Sequence, residues 1–159
     1  MRRFVKIKLP KPTWREVVIE FVGAVLGFGI LVGLGDLTQV PLLWAPLGGT
    51  LVLVFGSHNS PYSQPMNVLG GHLVSAGLGL LLLSILPHNH VSLVITFGLV
   101  VVAMRVLRLT HPPAGANPIV IYLTAASWAV LPALAIGALV ILVLGFYVHK
   151  FSATAYPAH

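Results

Sequence analysis

The sequence predicts an all-α bundle of membrane-inserted helices, and three observations carry that prediction. Between Phe21 and His149 only Asp36, Arg105 and Arg108 bear a formal charge. A water-exposed domain of that size needs Lys, Arg, Asp and Glu to cover it, so most of this chain has lipid for a solvent. The composition agrees, with 57% hydrophobic and 8% charged residues and a mean hydropathy of +0.97. Finally, apolar runs recur along the whole chain, each closed by Gly, Pro or a polar cluster.

The elements follow in order. Residues 1–16 are a basic tail holding six of the nine positive residues: Arg2, Arg3, Lys6, Lys8, Lys11 and Arg15. The first apolar run is Val17–Leu34, stopped by Gly35-Asp36. No small-residue cleavage pattern follows it, so it reads as a helix rather than a signal peptide. Pro41–Phe55 comes next, then the polar stretch Ser57–Gln64, the long run Pro65–Leu86, and a turn at Pro87-His88-Asn89-His90. Val91–Val106, the break Thr110–Pro113, Pro113–Ser127, a break at Trp128 and Pro132, and Leu131–Val148 complete the series. Residues 17–149 thus form a single transmembrane domain, and 150–159 a short tail. A hydrocarbon core of about 30 Å needs roughly 20 residues of helix. The second and fifth segments reach only ~22 Å, so they read as thin spans or as half-helices that enter and turn back.

Charge placement favours six crossings. Positive residues collect on the cytoplasmic side of a membrane protein, and six crossings put all nine there, with both termini cytoplasmic. Four full spans plus two re-entrant segments would leave Arg105 and Arg108 outside. Six crossings divide as three plus three, the second triplet starting from the opposite face, which is the inverted-repeat plan of secondary transporters. An internal echo suggests such a repeat. Ala45-Pro46-Leu47-Gly48-Gly49-Thr50 resembles Pro112-Pro113-Ala114-Gly115-Ala116-Asn117 at an offset of 67, and the same offset lays Gly70 on Gly137.

Whole classes of function are excluded or disfavoured. The absence of cysteine removes disulfides, thiolate catalysis and Cys-based metal sites. The carboxylates Glu16, Glu20 and Asp36 all lie at segment ends, so no acid dyad or nucleophile–base pair points to an enzyme. No two histidines are spaced i, i+4, so neither a metal site nor a cofactor is expected. A net charge of +6 would suggest nucleic acid in a soluble protein. Here the positives sit at membrane boundaries, and the expected surroundings are the lipid bilayer.

Two polar motifs are too rich in Pro and hydrogen-bonding groups to be mere turns. One runs from Ser57 through Ser60, Ser63, Gln64 and Asn67 to Gly70-Gly71-His72; the other is Thr110-His111-Pro112-Pro113-Ala114-Gly115-Ala116-Asn117-Pro118. Proline suits the first helical turn, where its missing N–H would have had no partner. Thr110 or His111 is then expected to cap a helix opening at Pro112-Pro113, and Ser63 one opening near Pro65. Free N–H groups of a first turn favour an anion. Ser60, Ser63, Asn67, His72, Thr110, His111 and Asn117 are therefore the candidate substrate pathway, with Arg105 and Arg108 at its vestibule. The competing reading makes the His-Pro-Pro turn a structural break, His72 a helix–helix hydrogen bond, and the two arginines membrane anchors.

These motifs resemble the HPP family of membrane proteins, named for the His-Pro-Pro that stands here as His111-Pro112-Pro113. The similarity includes the run Thr110–Pro118 and the run Ser60–His72, in that order, and extends over Val17–His149. It implies a small polytopic protein, and nitrite transport in cyanobacteria and across the chloroplast envelope is the activity linked to relatives. The family is usually described with four spans, where the charges here favour six. The expected function is a transporter or channel for a small inorganic anion, nitrite first, passive or proton-coupled, in a bacterial or cyanobacterial plasma membrane. A non-transporting scaffold or assembly subunit is the alternative. Small residues at Gly23, Gly27, Gly33, Gly77 and Gly79 point to a homo-oligomer.

Overall fold

A computed structural model describes residues 11–38, 42, 44–151 and 155–157. The architecture is all-helical: α1 Trp14–Thr38, α2 Ala45–Gly56, α3 Pro65–Ile85, α4 His90–Val106, α5 Asn117–Thr124 and α6 Val130–Phe151. Two 3₁₀ segments, Pro61–Ser63 and Pro112–Ala116, lead into α3 and α5. Four positions of the basic tail (Arg2, Arg3, Lys6, Lys8) lie outside the described residues.

Helix α1 opens with a capping box that the segment reading did not include. Thr13 Oγ1 accepts from the Glu16 backbone N–H, while the Glu16 carboxylate accepts from the Thr13 N–H and hydroxyl. Its buried residues, Gly23, Gly27 and Leu31, recur every four positions and make one stripe along the helix. That stripe faces α2. A Cβ on Gly23 would strike the Phe55 ring, and one on Gly27 would come to 2.5 Å from Leu51. Gly79 likewise faces Pro118. Gly23, Gly27 and Gly79 thus pack the chain against itself, whereas a Cβ at Gly33 or Gly77 would meet nothing within 4 Å.

Contacts fix the direction of every element. Numbers rise along α1 as they fall along α2 (Gly23 by Phe55, Gly27 by Leu51), so the two are antiparallel. Helix α6 runs with α2, since Gly137 meets Leu47 and Gly145 meets Val54. The segment 111–124 runs with α3: Gly71 meets His111, Ser75 bonds to Ala114, and Gly79 meets Pro118 and Ile121. At its far end Tyr122 stacks on His88 in the α3–α4 turn. The fifth segment therefore runs from one end of α3 to the other and does not turn back.

One end of the bundle thus gathers Lys11, Arg15, Arg105, Arg108 and Lys150, together with the Ser57–Gln64 stretch. The other end carries Asp36 and the Pro87–His90 turn. Six alternating segments with a basic end are what the charge count requires.

The internal echo is visible as architecture. Shifted by 67, α2 becomes 112–123, against the continuous 3₁₀–α5 unit Pro112–Thr124; α3 becomes 132–152, against Val130–Phe151. The end of α1 at Thr38 falls on 105, beside the end of α4 at Val106. Directions are reversed between the halves: α2 runs toward the basic end, its counterpart away from it. Order and direction are those of a 3+3 inverted repeat, although α1, with 25 residues, is longer than its counterpart α4, with 17. Its two middle segments are the short ones, with 12 residues in α2 and 8 in α5. At ~1.5 Å per residue they cover ~18 Å and ~12 Å, so each is helical over only part of its crossing.

Candidate functional site

The two short segments meet at a cluster of four completely buried polar side chains: Thr50, His72, His111 and Asn117, each 0% exposed. Each comes from a different place. Thr50 lies on α2, one turn past Pro46; His72 is two turns into α3; His111 precedes the 3₁₀ helix; Asn117 opens α5. Pro112-Pro113 hold the chain before the helix in an extended conformation at His111 (φ −133°, ψ 102°). Close approach is possible because residue 71 is glycine. A Cβ there would lie 2.6 Å from the His111 Cβ and 2.9 Å from the Leu109 carbonyl oxygen.

Hydrogen bonds join the four into one chain. Thr50 Oγ1 lies 2.8 Å from His72 Nε2 and 2.9 Å from His111 Nε2, with the Pro46 carbonyl at 3.1 Å. His111 Nδ1 is 2.7 Å from the Tyr62 carbonyl oxygen. On the other side, Asn117 Nδ2 is 3.2 Å from His72 Nδ1 and 3.3 Å from its carbonyl oxygen. The two imidazoles face each other edge-on at 5.1 Å. Beside them Ser75 donates to the Ala114 carbonyl at 2.6 Å. Asn117 Oδ1 is buried and has no hydrogen-bond partner, a deficit that costs about 1–3 kcal/mol in a protein interior.

The remaining expected residues hold the frame. Asn67 donates to the Thr110 carbonyl at 3.0 Å and latches the first motif to the second. Thr110 reaches back to the Met104 carbonyl at 3.5 Å and caps nothing. Ser63, expected to cap α3, turns instead toward its own loop, near the Ser57, His58 and Ser60 carbonyls at 2.7–3.1 Å. The residue at the cap is Gln64, whose side chain bonds to the His58 and Ser60 carbonyls. Ser60 caps the 3₁₀ turn, accepting from the Tyr62 N–H. Arg105 and Arg108 are exposed at the basic end, and Arg108 sits in the left-handed region at φ 60°. Thus His72, His111 and Asn117 come together, while Ser60, Ser63 and Asn67 stay in or near the loop.

Sequence reasoning missed Thr50, which touches both imidazoles. The signal existed: it is the one hydroxyl in the otherwise apolar run Pro41–Phe55, and shifting it by 67 gives Asn117. The repeat thus places its two equivalent polar residues on opposite nitrogens of one histidine.

At the basic end a second group forms. His149 Nε2 lies 2.8 Å from the Val54 carbonyl oxygen, and its ring packs against His58 at 4.5 Å and Tyr156 at 5.3 Å. Burial holds the His58 imidazole below its ordinary range, with Glu16 acting in the opposite sense. Tyr156 donates to the Ser63 carbonyl at 2.9 Å, and burial pushes its phenol up. Among the described residues no three His, Asp or Glu side chains converge as metal ligands.

The family described as HPP, transmembrane region, matches residues 9–157 of this sequence, which takes in both motifs and the whole bundle. The chain belongs to the HPP transmembrane family. Similar proteins include two transmembrane proteins of Dictyostelium discoideum. One is 31% identical over 87 residues, covering 52% of this chain and 28% of the relative; the other is 28% identical over 86 residues, covering 52% and 30%. This HPP protein therefore spans under a third of the length of those relatives. No solved structure matches it. It is an integral membrane protein, with three helices (α1, α3 and α6) long and apolar enough to cross a bilayer outright.

Proposed function

We propose that this HPP protein is a transporter for a small inorganic anion, with nitrite the first candidate from the family resemblance. The observation that carries the reading is the buried Thr50–His72–His111–Asn117 cluster, set where two partly helical segments of an inverted repeat meet. Polar groups inside a membrane are expensive and belong to pathways or sites far more often than to plain packing. In inverted-repeat transporters the substrate site lies at such interrupted helices. The cluster offers amide, hydroxyl and imidazole donors, a set that suits a small oxyanion and repels no negative charge. Arg105 and Arg108, at the basic end, raise the local concentration of anions at its mouth.

By the positive-inside rule we further propose that the basic end, and with it both tails, faces the cytoplasm, and from the family resemblance that the membrane is a bacterial or cyanobacterial plasma membrane. A homo-oligomer would use the exposed apolar faces of α1 and α4.

Purified full-length protein in liposomes tests this. Nitrite uptake above that of protein-free vesicles, competed by anions of similar size, is the expected result. A cation current without anion uptake overturns the reading.

A further inference from the structure

The proton positions in the buried cluster can be worked out from one fixed point. The Tyr62 carbonyl has no hydrogen to give, so His111 Nδ1 must carry one and donate it. A neutral His111 then presents a lone pair at Nε2, which only the Thr50 hydroxyl can fill. Thr50's one hydrogen has two acceptors, that lone pair and the Pro46 carbonyl at 3.1 Å; turned to either, it leaves Thr50 Oγ1 to accept from His72 Nε2–H. His72 Nδ1 is left as a lone pair and accepts from the Asn117 amide. With the hydroxyl turned to His111, all bonds point one way: Asn117 to His72 to Thr50 to His111 to the Tyr62 carbonyl. Tyr62 is 41% exposed, in the loop at the basic end.

The geometry points to a proton relay in which Thr50 is the obligatory link between His72 and His111, so that the site takes up one proton together with one monoanion. This deepens the transport reading and rests on it. A proton arriving from the Asn117 side bonds to His72 Nδ1. His72 Nε2–H then breaks as Thr50 Oγ1 gains that proton, and Thr50 passes its own to His111 Nε2. His111 is now an imidazolium donating at both nitrogens; its Nδ1 proton is released to solvent at the exposed Tyr62 loop, which completes one net transfer. The rings must then return to the starting tautomers, with Nδ1–H of His111 again facing the Tyr62 carbonyl, before the next proton enters. Every heavy atom keeps its valence, and each ring ends neutral. The relay is left pointing the other way, with His72 Nδ1–H facing the Asn117 amide. Turning that amide presents the orphaned Oδ1 to this hydrogen, which gives the unpartnered oxygen a role in half of the cycle.

The surroundings favour charge-neutral uptake. The titratable group facing His72 is His111, and the reverse. From α2 come Thr50 and the Pro46 carbonyl, from the 3₁₀ loop the Tyr62 carbonyl, and from α5 Asn117. Helix α4 contributes Val100 and Met104 around Ala114, and the histidine of α6 is engaged with the Val54 carbonyl. With no fixed carboxylate, Lys or Arg in this set, an anion and a proton entering together leave the interior uncharged, whereas either alone would be a costly buried charge.

The test uses wild-type protein in liposomes containing a pH-sensitive dye, with sodium nitrite outside and protein-free vesicles to subtract leakage of the undissociated acid. Nitrite uptake should be driven by an inward proton gradient and should acidify the lumen in step. Thr50→Val, close to isosteric, should lose gradient-driven uptake about tenfold, the worth of one hydrogen bond to a charged group. Thr50→Ser should restore it. Nitrite uptake without proton movement, or a gradient response unchanged in Thr50→Val, overturns the relay and leaves anion transport standing. No uptake of any small anion by wild type defeats both. Independently of any variant, ¹⁵N-histidine spectra at alkaline pH should show the Nδ1–H tautomer at His111 and the Nε2–H tautomer at His72; the opposite pair overturns the relay.

Discussion

His111 and Gly71 show how little freedom the site leaves. Gly71→Ala would drive a Cβ into the His111 Cβ and the Leu109 carbonyl, neither of which can rotate away, and overpacking of this kind costs about 1–3 kcal/mol. The expected outcome is a lower unfolding temperature in detergent together with impaired uptake. His111→Ala removes both the Tyr62 and Thr50 bonds and should lower nitrite uptake while leaving expression and particle size near wild type; wild-type uptake would make the His-Pro-Pro turn structural. Because His72 and Asn117 are directly bonded, the effects of His72→Ala and Asn117→Ala should couple rather than add, as a double-mutant cycle on uptake will show.

At the scale of elements, the two motifs are held together by one side chain. Asn67, near the start of α3, donates to the Thr110 carbonyl just before the His-Pro-Pro turn. Asn67→Ala should loosen that turn, read as faster amide exchange over 109–116 with α1 exchange unchanged. The loop before α3 is also tied to the chain's other end through His58, His149 and Tyr156. Burial favours the neutral form of His58 in the folded protein, so the unfolded chain takes up a proton at higher pH than the folded one does. Stability from this residue is therefore full above the ordinary imidazole value of about 6.5 and lost as the pH falls below it. Thermal unfolding between pH 8 and pH 5.5 should shift less in His58→Gln than in wild type.

For the molecule as a whole, six alternating segments place Asn59 and His90 at opposite ends. The chain has no cysteine, so Asn59→Cys and His90→Cys each give a single thiol. An impermeant thiol reagent applied to intact cells should label the His90→Cys protein and spare the Asn59→Cys protein. Labelling of both from outside would refute the crossing pattern.

The sequence by itself determined the solvent, the helical class and which segment ends carry the positive charge. Those follow from composition and from the rule that backbone in lipid must bond internally, which short-range patterns record. It also held His72, His111 and Asn117 in two readable motifs, because Pro and Gly mark breaks locally. The tertiary structure alone decided that Ser63 serves its own loop, that the glycine stripe packs α1 on α2, and that Thr50 joins the two histidines. The last two are contacts between residues far apart in the chain, such as Thr50 and His111, 61 positions apart. A pairing of that kind depends on where whole helices lie, and no local pattern of residues encodes it.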